Sequence, residues 1–205
     1  MANLAHYYPE LIARNVKGML NASKLDKEIV EEFNGDWEEL TYQARLILSR
    51  YKHTDIKTLN PELYNDNLPE GVDVEKETKV RVGQSFFRLS VLAAYSNSCC
   101  ITGMRKPELL IASHIKPWKD SNEKTERANP SNGLCLNALH DRAFDKGLIT
   151  LDKNYHMVIT KRLDGVGMDE NTYDWFYSYA NQPIKLPDKF LPGRDFIEYH
   201  NDVIF

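Results

Sequence analysis

Residues Asn129 to Asp152 read NPSNGLCLNALHDRAFDKGLITLD, and the changes of rhythm within them decide the fold. Gly133 to Leu136 is a short apolar run and reads as a strand. Asn137 through LHDRAFD reads as a helix, which Gly147 stops. LITLD and HMVIT then flank a polar Lys153-Asn154 turn and read as a hairpin. Upstream, Leu109 to Ile115 (LLIASHI) is a second short apolar run, a strand with His114 near its end. Lys116 to Asn129 between the two runs is polar, contains Pro117 and lacks apolar periodicity, so it reads as a loop. The predicted order is strand, loop, strand, helix, hairpin.

Further out, Val82 to Tyr95 carries Phe86, Leu89 and Ala93 at helical spacing with Arg88 off that face, a helix leading into the central unit. Asn60 to Glu77 is rich in Pro, Asn and acidic residues and reads as a linker, with a boundary near Glu77. Before it the chain is mostly helical. Trp37, Leu40, Ala44, Ile47 and Tyr51 recur every three or four residues, and Asp36 with Glu39 resembles a capping box. The domain reading is a helical segment, 1–77, suited to dimerisation or DNA contact, followed by 78–205.

The composition fits this plan. The chain has 205 residues, 42% apolar and 27% charged, which suits one substantial core and excludes disordered and fibrous classes. No stretch approaches the roughly 18 apolar residues of a membrane span. Glu10, Arg14 and Lys17 fall where a signal peptide would place its apolar run, so a non-exported, cytoplasmic protein is expected. Three cysteines, two of them adjacent as Cys99 and Cys100, make no disulfide framework and suit a reducing compartment. The net charge of -4 conceals an asymmetry. Residues 79–162 hold 14 Lys and Arg against 7 Asp and Glu, whereas the rest holds 12 against 23. A basic middle between acidic ends can face a polyanion or pair with its own flanks, since screening confines charge to about 10 Å at ordinary salt.

Within the middle, His114 ends a strand and His140 sits in the first turn of a helix, positions from which side chains can converge on one cleft. Either histidine alone reads more readily as a satisfied core group. Asn132, between Pro130 and Gly133, reads as a turn residue whose amide bonds backbone. Asp141 and Asp145 follow His140 closely.

These residues resemble the HNH nucleases of the ββα-metal group, in particular the restriction-endonuclease branch. The resemblance rests on CCITG (Cys99 to Gly103), ASHIKPW (Ala112 to Trp118) and the quoted Asn129–Asp152 stretch, and extends less sharply into KVRVGQSFFRLSVLAAY and KFLPGRDF. It covers roughly the last 130 residues and implies an α+β fold, a ββα-metal core with a mostly helical N-terminal segment and a following β-hairpin. It assigns His114 as the general base, Asn132 as the residue holding the loop that aims the base, and His140 as a metal ligand. In two places the chain departs from the family. Where many members carry an acidic residue or histidine just before the base, this chain has Ser113, so some other group must complete the metal site; Asp141 and Asp145 are the available carboxylates, although on a helix they lie about 100° and 140° from His140, and Asp145 reads equally as a partner of Arg142 or of a backbone amide. Where many relatives carry two CxxC pairs, only Cys100 stands at that spacing and Cys135 is alone. Four thiolates cannot be assembled, no structural zinc is expected, and the three cysteines read as buried apolar residues.

The implied activity is a metal-dependent endonuclease of restriction or defence type. It would hydrolyse phosphodiester bonds of double-stranded DNA with one divalent ion, Mg²⁺ or Mn²⁺ ahead of Zn²⁺ or Ni²⁺. Arg88, Arg105, Lys106, Lys116 and Lys119 are the candidate phosphate contacts, and a homodimer is the expected unit for cutting two strands. Two alternatives are an HNH nuclease acting on RNA or structured DNA, and a nucleic-acid-binding module that does not cut. The intact His114, Asn132 and His140 argue against the second.

Overall fold

The computed structural model describes residues 12–13, 15, 23–59, 74–163 and 169–205. Most of the Asn60–Glu77 stretch read as a linker, and most of the first 22 residues, lie outside the described residues. The described part is α+β, with seven α-helices and two antiparallel hairpins. No helix among the described residues is long and apolar enough to cross a membrane.

Helix α1, Lys24–Phe33, opens on a full capping box between Ser23 and Asp26. Helix α2, Trp37–Tyr51, is capped by Asp36, whose carboxylate accepts the Glu39 amide at 3.0 Å. The other half of the predicted box is absent. Glu39 instead accepts from Gln43 Nε2 at 2.7 Å and from Lys79 Nζ at 2.6 Å. Lys79 belongs to helix α4, Val74–Ala94, which follows the single-turn α3, Ile56–Leu59. Helix α4 therefore begins inside the stretch read as a linker. It is fixed against α2 by the Lys79–Glu39 ion pair near its start and by Trp37 stacking on Phe86 at 5.9 Å further along.

The buried face of α4 differs from the one its spacing suggested. Val82, Phe87, Val91 and Tyr95 are buried, whereas Leu89 is 55% exposed. The reason is the hairpin laid across α4. Strands β1, Leu110–His114, and β2, Gly133–Asn137, pair from Leu110 opposite Asn137 to His114 opposite Gly133. A Cβ at Gly133 would collide with Val91 and would lie 2.9 Å from Phe87 Cζ. Glycine here lets the strand approach the helix closely, and Phe87 and Val91 become the helix face that meets it.

Helix α5, Ala138–Asp145, is capped by Asn137, whose Oδ1 accepts the Leu139 and His140 amides at 3.1 and 3.0 Å. It ends before Gly147, at φ +59°, where any Cβ would strike the Ile204 carbonyl. The second hairpin, β3 Ile149–Leu151 and β4 Met157–Ile159, turns through Asp152, which accepts the Asn154 and His156 amides at 2.8 Å each. Helices α6, Glu170–Tyr177, and α7, Arg194–Val203, close the core. In α7 the buried His200 stacks on Phe144 at 3.8 Å and takes part in bonds to the Phe144 carbonyl and Thr150 hydroxyl. Cys99, Cys100 and Cys135 are free and buried in this core. Burial pushes the Cys135 thiol up to about 12, which keeps it protonated.

Candidate active site

Alternation along β1 sends successive side chains to opposite faces. His114 faces α4 and Ser113 faces α5. The His114 ring stacks on Phe87 at 3.7 Å and 12° and meets the edge of Trp118 at 5.6 Å. Its Nε2 lies 2.9 Å from the Arg127 carbonyl. Burial lowers its pKa, opposed by that hydrogen bond, so the ring is neutral near pH 7. A neutral imidazole facing a carbonyl must present N–H there. Nε2 therefore donates to Arg127, and Nδ1 keeps the lone pair. The ring lines a groove with Gln84, Phe87, Arg88, Ala112 and Trp118. Arg88 is anchored by Nη2 donating to the Leu110 carbonyl at 3.1 Å.

The loop that supplies the Arg127 carbonyl is tied by Asn132, whose side chain is fully buried. Its Oδ1 accepts the Lys116 amide at 2.8 Å. Its Nδ2 lies 3.2 Å from the Lys116 carbonyl and the Ser121 hydroxyl and 3.4 Å from the Glu126 carbonyl. One amide thus joins both ends of the loop read from the sequence. Arg127 is held in turn by Nε donating to the Trp118 carbonyl at 3.2 Å, by an ion pair with Glu123 at 3.0 Å, and by its guanidinium lying 5.2 Å from the Trp118 ring. No motif marked Arg127, because its contribution to His114 is a main-chain oxygen. The His114–Phe87 stack was likewise missed, although aromatic residues on α4 were the available signal.

On α5 the structure separates His140 from the two aspartates proposed with it as metal ligands. His140 is 0% exposed. Its Nε2 lies 3.0 Å from the Trp175 carbonyl and its Nδ1 lies 3.1 Å from Asn137 Oδ1. Phe176 and Tyr179 close around the ring at 5.1 and 6.1 Å. Desolvation lowers its pKa to about 4, so it is neutral. Asp141 faces the hairpin instead. Burial raises its pKa, the nearby Ser113 hydroxyl opposes the rise, and the Asp145 charge adds to it. Asp145 is raised by desolvation as well, against the charges of Arg142 and Lys146. The Ser113 hydroxyl, in a residue 3% exposed, points towards the Asp141 carboxylate without closing a hydrogen bond of ordinary geometry. Among the described residues no three His, Cys, Asp or Glu side chains stand close enough together to hold a metal ion. Two carboxylates four residues apart on one helix face, with an orphaned hydroxyl beside one of them, nevertheless fit an ion such as Mg²⁺, which keeps several waters and takes few protein ligands.

The five cationic candidates are not equivalent. Arg88 lines the His114 groove, and Arg105 and Lys119 are exposed. Lys116 is paired with Glu126 at 2.7 Å and lies 5.1 Å from the Tyr199 ring, and Lys106 pairs with Glu108 at 3.2 Å.

Residues 99–152 match the sequence profile of a family described as HNH endonuclease. The match covers about a quarter of the chain, and the segment is similar to HNH endonuclease domains, a family whose members generally use one divalent metal ion. No curated protein matches the chain significantly. Among solved structures, a "Modification dependent TagI restriction endonuclease" matches with 17% identity and a TM-score of 0.39 over 57% of this chain. The match covers 36% of that protein, so the chain spans about a third of its length.

Proposed function

We propose that the protein is a metal-dependent endonuclease that hydrolyses phosphodiester bonds of double-stranded DNA in restriction or defence. The observation that carries the reading is the setting of His114: its Nε2 lies 2.9 Å from the Arg127 carbonyl, and its ring lines a groove that Arg88 shares. His114 Nδ1 takes the proton of the attacking water as the water oxygen forms its bond to phosphorus. The P–O bond to the leaving sugar oxygen breaks, and that oxygen is protonated from solvent. Arg88 offsets the charge of the phosphate being cut. A positioned base contributes about 10²- to 10⁴-fold, far short of what phosphodiester hydrolysis requires. A divalent ion, when bound, would supply the remaining charge stabilisation. Asp141 and Asp145, on the α5 side of the hairpin towards which Ser113 faces, are the carboxylates available to hold it.

The buried, reduced cysteines support action in the cytoplasm. Cutting both strands calls for two such sites, hence a homodimer, which light scattering with and without DNA would reveal. The deciding experiment is cleavage of plasmid DNA and of RNA with Mg²⁺ or Mn²⁺, with and without EDTA. DNA cleavage that EDTA abolishes is expected. Cleavage undiminished by excess EDTA, or confined to RNA, would overturn the proposal.

A further inference from the structure

The proposal of a metal-dependent nuclease leaves open what kind of ion the site selects, and the ββα arrangement leads one to expect a histidine from the helix among the ligands. We infer that the cation site of this chain is built from oxygen alone, around Asp141 with Asp145 and the Ser113 hydroxyl, and that His140 is a fold anchor which never touches the metal. This rests on the nuclease reading for the site's purpose, but the geometry behind it is independent.

Neither nitrogen of His140 is available. Nε2 is spent on the Trp175 carbonyl in α6, and Nδ1 is covered by Asn137, the residue that caps α5. A metal could reach the ring only by pulling α6 from α5 or by undoing the cap. Asp141, one position on, is turned by about 100° around the helix, and this rotation brings it to the hairpin. Asp145 follows at the next position of the same face. The second observation is Ser113, a residue 3% exposed, whose hydroxyl is directed at that carboxylate without a hydrogen bond of ordinary geometry to any group. A buried hydroxyl without a partner is costly, and a cation or its hydration water beside Asp141 would satisfy it. Carboxylate and hydroxyl oxygens with retained waters suit Mg²⁺ and Mn²⁺. Zn²⁺ and Ni²⁺ draw much of their affinity from imidazole or thiolate, which this site lacks.

The test is metal binding by the full-length protein, followed by Mn²⁺ electron paramagnetic resonance with pulsed detection of ¹⁴N coupling. Wild-type protein should bind Mn²⁺ without a directly coordinated ¹⁴N signal, and Mg²⁺ should compete for the site. Asp141→Asn should weaken Mn²⁺ by about tenfold or more. His140→Gln should keep the Mn²⁺ affinity within about twofold while lowering the melting temperature. A directly coordinated ¹⁴N signal in wild type would overturn the inference, as would unchanged binding in Asp141→Asn or no Mn²⁺ binding at millimolar concentration. Because the ¹⁴N measurement uses wild-type protein, it stands even if the His140 variant fails to fold. Metal-dependent cleavage with a ¹⁴N signal would sink this inference and leave the nuclease standing. Oxygen-only binding without any cleavage would do the reverse.

Discussion

Replacing Asn132 by Ala should uncouple the active-site loop from the hairpin, and its cost can be worked from the bonds removed. The side chain accepts one hydrogen bond and, having two amide hydrogens, makes at most two good ones among its three oxygen neighbours at 3.2 to 3.4 Å. Three bonds at about 1 kcal/mol each give about 3 kcal/mol, and the Lys116 amide left unsatisfied in the interior adds about 1 kcal/mol or more. For a chain of this length that corresponds to a fall in Tm of roughly 8 to 16 °C. The kinetic effect should exceed what stability alone predicts. With Lys116 and Glu126 released, the Arg127 carbonyl no longer holds His114 Nε2–H, and the ring can adopt the other tautomer or turn. Urea denaturation at neutral pH measures the first effect, and kcat at a temperature where the variant remains folded measures the second. ¹⁵N spectra of the His114 ring would report the tautomer. A loss below about 1 kcal/mol, or full kcat in the folded variant, would refute the reasoning.

His114→Ala should lower turnover by about 10²-fold or more, with DNA affinity nearly unchanged and no rescue by added Mn²⁺; single-turnover cleavage and a binding titration check it, and activity restored by metal would show that His114 is a ligand. Gly133→Ala should destabilise by about 1 to 3 kcal/mol through overpacking on Val91 and Phe87, and it should depress kcat because Phe87 carries the His114 ring; denaturant melts and kinetics on one preparation separate the two effects. Stability should also fall on mild acidification. His200 is held neutral in the fold with a pKa of about 4 against 6.5 for an exposed histidine, so below about pH 6.5 the unfolded chain binds more protons than the native one. This predicts a loss of about 2 kcal/mol at about pH 5 from His200 alone, a loss that His200→Gln should largely remove in urea melts at the two pH values.

Most of the central unit was legible because each element carries its own local signal. The run Leu109 to Ile115, the polar loop, the helix from Asn137 and the Gly147 stop can all be read without knowing the tertiary structure. The buried face of α4 could not, because Phe87 and Val91 were chosen by a hairpin that meets them some 40 residues later, at Gly133. Nor could the start of α4 at Val74, where pairing of Lys79 with Glu39 outweighs the local polar composition. In the site, the family histidine drew the reading to His140, and Asp141 and Asp145 were measured by their angles from it. Measured from each other they are four apart, one helical turn, which already places them together. What no sequence pattern announced is that His140 would be enclosed by α6, because that depends on the backbone of Trp175.

The match at residues 99–152 has clear edges in sequence, but the structure gives it none. Its strand β2 lies against Phe87 and Val91 from before the match. Its Phe144 is covered by His200, and the space at Gly147 is filled by the Ile204 carbonyl, both from about fifty residues beyond it. Excised at those edges, the segment would expose both faces of its core, and transplanted into another protein it would need substitutes for a helix on each side. The signature is therefore portable as text but not as an object.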